Sequence, residues 1–211
     1  MTSASDFDGR ASTWDEDASK ADRARRVASA IASRVSSMSS RTVLEYGAGT
    51  GLLGLALQQR VRAVTLADSS RAMLEVAGEK IARGGITNVQ TLQLDLAISP
   101  PPGLRFDLVC TLMTLHHIPE TRRILRAFHA LLDEGGVVCI ADLDREDGSF
   151  HGAGFTGHNG FDRAELRSDL ERSGFRDVQF ETVHEVEKRT SSGTRRYPLF
   201  LAVAGVDHLA G

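Results

Sequence analysis

Val43-Leu44-Glu45-Tyr46-Gly47-Ala48-Gly49-Thr50-Gly51-Leu52-Leu53-Gly54-Leu55 decides how the rest of this 211-residue chain is read. Its first residues have the apolar character of a short buried strand. Glycines follow at alternate positions, and an apolar run at helical spacing comes next. Glycine admits positive φ and lets backbone approach a ligand closely. The helix that follows begins with unpaired N–H groups and a positive dipole end. Such a turn suits a polar or anionic part of a nucleotide-like ligand.

Two motifs overlap here. Gly49-Thr-Gly51-Leu-Leu-Gly54 satisfies G-x-G-x-x-G, the dinucleotide fingerprint. Glu45, Gly47, Gly49 and Gly51 satisfy E/D-x-G-x-G-x-G. Both patterns expect an acid roughly 20 residues on for ribose hydroxyls. Asp68, after the apolar run Ala63–Ala67, supplies it. With Ser69 and Ser70 it also fits a helix N-cap, so both roles stand at this point.

The downstream strands separate the motifs. Asn88–Leu94 reads as a third strand followed by Asp95-Leu96, and Phe106–Met113 as a fourth followed by Thr114-Leu-His116-His117-Ile118-Pro119. Together with the glycine loop, these features resemble the class I S-adenosylmethionine (SAM) dependent methyltransferases. The likeness is to the ubiquinone/menaquinone-biosynthesis type and related small-molecule enzymes, and it is best over residues 40 to 145. It implies a Rossmann-like α/β fold with a seven-stranded sheet, mostly parallel with the last strand antiparallel. Helices would cover both faces, with an N-terminal helical lid.

By the same resemblance the cofactor is SAM, with S-adenosylhomocysteine as product. The loop Gly47, Ala48, Gly49 and Gly51 would cradle it. Glu45 would lie near its methionyl amino end, Asp68 at the ribose, Asp95 at the adenine amino group and Leu96 by the ring. Ser69, Met73, Leu112 and Met113 complete the implied pocket. The implied reaction is in-line methyl transfer to a small-molecule acceptor. An NAD(P)-dependent oxidoreductase and a non-catalytic SAM-binding protein are the alternatives. The first lacks a Tyr-x-x-x-Lys arrangement, since only Tyr46 and Tyr197 exist.

Composition narrows the setting. With 41% hydrophobic and 25% charged residues the chain is an ordinary globule, and a net charge of −3 gives no bulk attraction to nucleic acid. No Asn-Pro-Pro-Tyr motif follows the fourth strand. The basic clusters Arg23-Ala-Arg25-Arg26, Arg122-Arg123, Lys188-Arg189 and Arg195-Arg196 read as solvated faces. No 18-residue apolar run or signal-peptide layout occurs, which predicts a cytoplasmic protein without a membrane span. Cys110 and Cys139, each inside an apolar strand run, read as buried free thiols. The sequence does not fix the oligomeric state.

Residues 1–40 read as an arm and helix forming a lid, and residues 41–211 as the SAM-binding domain. The first 17 residues are polar and contain the sole tryptophan, Trp14. Trp14 and Phe7 either cover the site or dock outside it. Helices are predicted near 18–35, 52–60, 70–83, 120–132 and 162–173. A fifth strand is predicted at 136–141 and two more at 176–187 and 196–204, with a polar, flexible link at 188–194 between them. Residues 144–161 form a glycine-rich acceptor-side loop carrying Phe150, Phe155, Phe161, His151 and His158.

Catalytic candidates are the histidines. His117 and His116 follow the fourth strand, where acceptor meets cofactor in this architecture, and a near-neutral imidazole suits a general base. His151 and His158 sit in the loop that would roof the acceptor, with Phe155 and Phe161 as apolar contacts. Each also has a purely structural reading. His151 and His158, with His116 or His117, are the one candidate metal set, but no His-x-x-x-His or cysteine cluster at ligand spacing is present, so no metal is predicted.

Overall fold

The computed structural model describes residues 7–190 and 193–207; Met1–Asp6 of the arm and Ser191-Ser192 of the polar link lie outside them. Seven strands form one sheet in the order β3-β2-β1-β4-β5-β7-β6. They are β1 Thr42–Tyr46, β2 Ala63–Asp68, β3 Val89–Gln93, β4 Phe106–Leu112, β5 Leu132–Leu143, β6 Arg176–Thr190 and β7 Gly193–Gly205. β7 runs antiparallel between β5 and β6, and the other pairings are parallel. The expected sheet is therefore present, antiparallel last strand included. β5 starts earlier than predicted, and β6 and β7 extend into a longer hairpin.

The helices are α1 Ala18–Arg34, α2 Leu52–Leu57, α3 Arg71–Arg83, α4 Thr121–Leu131 and α5 Arg163–Arg172. A 3-10 turn, Gln58–Arg60, completes the segment predicted as helix 52–60. α1 and α2 bury Val27, Ile31, Leu53 and Leu57 on one sheet face with Val43, Val64 and Leu108. α4 and α5 bury Ile124, Phe128, Leu166 and Leu170 on the other with Leu44, Val109 and Ile140. Alternating side chains of each strand thus feed two cores, the reason parallel strands read as continuous apolar runs. Among the described residues no helix is long and apolar enough to cross a membrane.

The crossover at β1 and β4 is what makes a site. Chain connections leave in opposite directions there and open a crevice at the carboxyl ends of the strands. β1 is central, with Glu45 in register with Leu66 of β2 and Cys110 of β4. Cys110 in turn pairs with Cys139 across β4 and β5, and both thiols are free and buried. Burial pushes the Cys139 thiol up to about 12.

Candidate active site at the strand edge

A cavity of about 490 Å³ occupies this crevice. The glycine loop forms its floor. Gly49 has φ +53°, and a Cβ there would meet only Met73 Sδ and Trp14 Nε1, each at 3.9 Å. Gly54 serves packing instead, since a Cβ would lie 2.3 Å from Leu66 Cδ2 and 2.7 Å from Glu45 Oε2. Its smallness lets α2 approach β1 and β2, the third-glycine role in the dinucleotide motif. Both overlapping glycine patterns thus have a physical account.

The acids of the site hold the loop. Glu45 is 3% exposed, and its Oε2 accepts the Gly54 N–H at 2.7 Å, at the start of α2. Burial nevertheless raises its carboxyl to about 8. Asp68 accepts from the Gly49 N–H at 2.7 Å and from the Ser70 N–H at 2.8 Å. Burial pushes its carboxyl above the ordinary value. The helix cap proper is Ser70, whose hydroxyl accepts from the Met73 N–H. Asp95 borders the cavity while its side chain accepts the Ala97 N–H at 2.9 Å.

Of the implied cofactor residues, Glu45, Gly47, Ala48 and Gly49 from the β1 turn, Asp68, Ser69 and Met73 from the β2 end, and Asp95, Leu112 and Met113 all line this cavity. Gly51 and Leu96 do not. Gly51 sits in left-handed conformation at φ +79° as the N-cap of α2. Leu96 turns its side chain into the core, where the Tyr46 hydroxyl accepts its N–H at 3.1 Å. Ala97 and Ile98 take its place on the wall. Met113, at the β4 terminus, has φ +54°, a strained value for a residue with a side chain.

The described part of the N-terminal segment borders the cavity. Phe7 and Trp14 both line it, with ring centroids 6.0 Å apart. Polar contacts clamp the segment down. Asp15 accepts from the Thr50 hydroxyl and pairs with Lys80 Nζ, both at 2.6 Å. Asp8 accepts from the Ser70 hydroxyl at 2.5 Å. Two cationic residues of α1, Lys20 and Arg23, also reach the cavity. The sequence reading placed Arg23 on a solvated face; instead its Nε is buried without a hydrogen-bond partner among the described residues. Desolvation lowers the pKa of both groups. Arg25 and Arg26 do face solvent, paired with Asp22. The signal that would have found Arg23 is its place one turn before Val27 on the apolar stripe of α1.

Among the described histidines only His117 borders the cavity. Burial, then the proximity of His116 and His151, drives it down to about 3. Desolvation here disfavours the charged form of the ring. His151 is likewise pushed down to about 4, chiefly by desolvation. His116 is buried under Asp142, with Nδ1 2.6 Å from Asp142 Oδ1 and its N–H donated to Oδ2. His158 is held away from the cavity. Its N–H donates to the His116 carbonyl at 2.7 Å, and its Nε2 lies 3.1 Å from both the Ile118 carbonyl and the Thr121 hydroxyl. Phe155 stacks on His151 at 3.8 Å, and Phe161 is buried in the core, so neither loop phenylalanine lines the cavity.

The fold also brings three of the histidines together. His116, His117 and His151 each bring one ligand atom to within 4.8 Å of the others. His151 joins the pair because its loop folds back over residues 34 positions away, and His158 stays outside the group.

Comparison with known proteins places this geometry. The family described as "Methyltransferase domain" matches residues 19–180. A ubiquinone biosynthesis O-methyltransferase of Pseudomonas paraeruginosa is 32% identical over 109 residues, 51% of this chain and 47% of that protein. The chain thus spans about half the length of the curated relatives it matches. Among solved structures, Haemonchus contortus phosphoethanolamine N-methyltransferase 2, in complex with phosphomonomethylethanolamine and S-adenosylhomocysteine, superposes with TM-score 0.71 at 16% identity, over 86% of this chain and 52% of that one. A SAM-dependent methyltransferase from Aquifex aeolicus gives 0.64 at 21% identity, over 85% and 89%. These two likenesses concern the fold.

Proposed function

The chain belongs to the methyltransferase-domain family, and we propose that it transfers a methyl group from SAM to a small-molecule acceptor. The observation that carries this reading is the charge pattern of one cavity. Carboxyl groups at the strand ends, Glu45, Asp68 and Asp95, share it with the cations Lys20 and Arg23 of α1 and with apolar Leu52, Met73, Ile98 and Leu112. A ligand carrying a ribose diol, a heteroaromatic amine and an amino-acid zwitterion needs this pairing of acceptors and cationic donors. The partnerless Arg23 Nε fits a carboxylate.

Bound there, SAM supplies a sulfonium-activated methyl group for in-line displacement. The protein's part is alignment and exclusion of water. Asp68 would take the ribose hydroxyls while keeping the Gly49 N–H, since a carboxylate has about four acceptor sites. Asp95 would meet the adenine amino group, with Ala97 and Ile98 against the ring. Arg23 and Lys20 would hold the methionyl carboxylate. Thr114 and His117, at the end of β4, would orient the acceptor, His117 as a neutral hydrogen-bonding ring. Phe7 and Trp14 would close the site, whose volume of about 490 Å³ is of the size that takes small-molecule ligands. In this reading residues 1–40 supply the cover, residues 41–211 the catalytic body and residues 144–161 the acceptor side. The free, facing thiols Cys110 and Cys139 support a cytoplasmic setting.

The test is calorimetry of the purified chain with SAM, S-adenosylhomocysteine, NADH and NADPH. Binding of the first pair alone is expected. Binding of a nicotinamide cofactor instead would overturn the reading.

A further inference from the structure

We propose that His116, His117 and His151 form a binding site for a borderline divalent cation of the zinc class. The three side chains come from the turn after β4 and from the glycine-rich loop after β5. Their ligand atoms lie within 4.8 Å of one another. Tetrahedral zinc with nitrogen ligands at about 2.0–2.1 Å needs those atoms about 3.3 Å apart. Closing the difference takes side-chain shifts on the order of 1 Å, well within rotamer adjustment.

The second shell is already built. Nδ1 of His116 lies 2.6 Å from Asp142 Oδ1, and neither residue is more than 1% exposed. A carboxylate only accepts, so Nδ1 carries a proton and Nε2 is the ring nitrogen left to meet a metal. This carboxylate–histidine arrangement recurs behind metal ligands, where it fixes the tautomer and raises ligand basicity. Asp142 also accepts the His116 and Leu143 N–H groups, so the whole unit is pinned to β5.

Two of the three rings carry a buried nitrogen that the fold leaves unused. Nε2 of His116 and Nε2 of His151 are both buried without a hydrogen-bond partner among the described residues. Aromatic packing accounts for the ring contacts, such as His151 stacked on Phe155 at 3.8 Å. It does not account for two buried nitrogens without partners on rings whose centroids lie 5.1 Å apart, an arrangement that costs free energy unless a ligand satisfies them. Imidazole nitrogens favour Zn²⁺, Cu²⁺, Ni²⁺ or Fe²⁺ over Mg²⁺ and Ca²⁺, which take oxygen ligands. Three protein ligands leave a fourth position open, the pattern of catalytic rather than structural zinc. His117 belongs to both the trio and the cavity wall, so the cation would sit beside the acceptor. That placement rests on the methyl-transfer reading; the cation site itself does not.

The experiment uses tag-free full-length protein, stripped with chelator and titrated with Co²⁺ and then Zn²⁺. One equivalent of Co²⁺ should give the visible bands of a tetrahedral or five-coordinate nitrogen site, and Zn²⁺ should bleach them. His151→Ala, a loop change, should abolish the bands while S-adenosylhomocysteine still binds. Asp142→Asn should weaken metal affinity on the order of 10- to 100-fold. Absence of stoichiometric binding in the wild-type chain overturns the proposal, as do unchanged bands in His151→Ala. Metal binding without binding of S-adenosylhomocysteine would keep the cation site and remove the methyl-transfer reading. The converse would remove the cation site alone.

Discussion

The Asp68 carboxylate accepts the Gly49 backbone N–H at 2.7 Å, tying the end of β2 to the centre of the glycine loop on β1. One acid therefore shapes the loop and borders the cavity that the loop floors. Asp68→Ala should weaken S-adenosylhomocysteine binding by about 1–3 kcal/mol, the scale of charge-assisted hydrogen bonds. Calorimetry reads it, and an unchanged affinity would remove Asp68 from the cofactor site.

Arg23 separates the two ends of the ligand. Arg23→Gln should cost roughly 1.5–3 kcal/mol in S-adenosylhomocysteine affinity, as for a hydrogen bond to a charged group. It should leave 5′-methylthioadenosine, which lacks the carboxylate, within a few tenths of a kcal/mol. Equal losses for both ligands would assign Arg23 to the fold rather than to the carboxylate.

Glu45 makes the stability of the ligand-free protein pH-dependent. Its carboxyl rises from 4.5 to about 8 on folding, through burial. Between those values the folded chain holds a proton that the unfolded chain has lost. The contribution is complete below the unfolded value and is lost as pH rises through the folded one. The slope is at most about 1.4 kcal/mol per pH unit. Urea denaturation at pH 5.5 and 8 should show wild type losing on the order of 2–3 kcal/mol more than Glu45→Gln. Parallel curves for the two proteins would refute the shift.

Asp15 clamps the cover through Thr50 and Lys80. Asp15→Ala should release S-adenosylhomocysteine faster, about fivefold for an interaction of roughly 1 kcal/mol. Thermal stability should move little, because these contacts lie outside both cores. Trp14, the sole tryptophan, lines the cavity and reports the rate by stopped-flow fluorescence.

Removing the carboxylate behind His116 should be costly. Asp142→Ala leaves the His116 N–H, its Nδ1–H and the Leu143 N–H without their acceptor in the interior. Each buried donor left unpaired costs about 1–3 kcal/mol, so a loss of about 3 kcal/mol or more is expected in urea denaturation. A loss under 1 kcal/mol would mean that the cluster rearranges freely.

Local chemistry determined the sheet and the cofactor edge of this protein. Apolar runs of strand length, separated by helical stripes, leave a parallel sheet as the way to bury both faces, and β1 through β5 follow from them. The glycine spacing and the acids at positions 45, 68 and 95 sit at strand ends, so their meeting on one edge follows from the fold class. Side chains beyond that edge depend on folding in three dimensions. Leu96 turned inward because its N–H meets the Tyr46 hydroxyl. Arg23 turned inward because it shares the face of α1 that carries Val27. The histidine cluster depends on a loop folding back over the β4 turn, and burial there moved two rings far below neutrality. Desolvation and contacts between distant segments have no periodicity along a chain, and for that reason only the tertiary structure decided them.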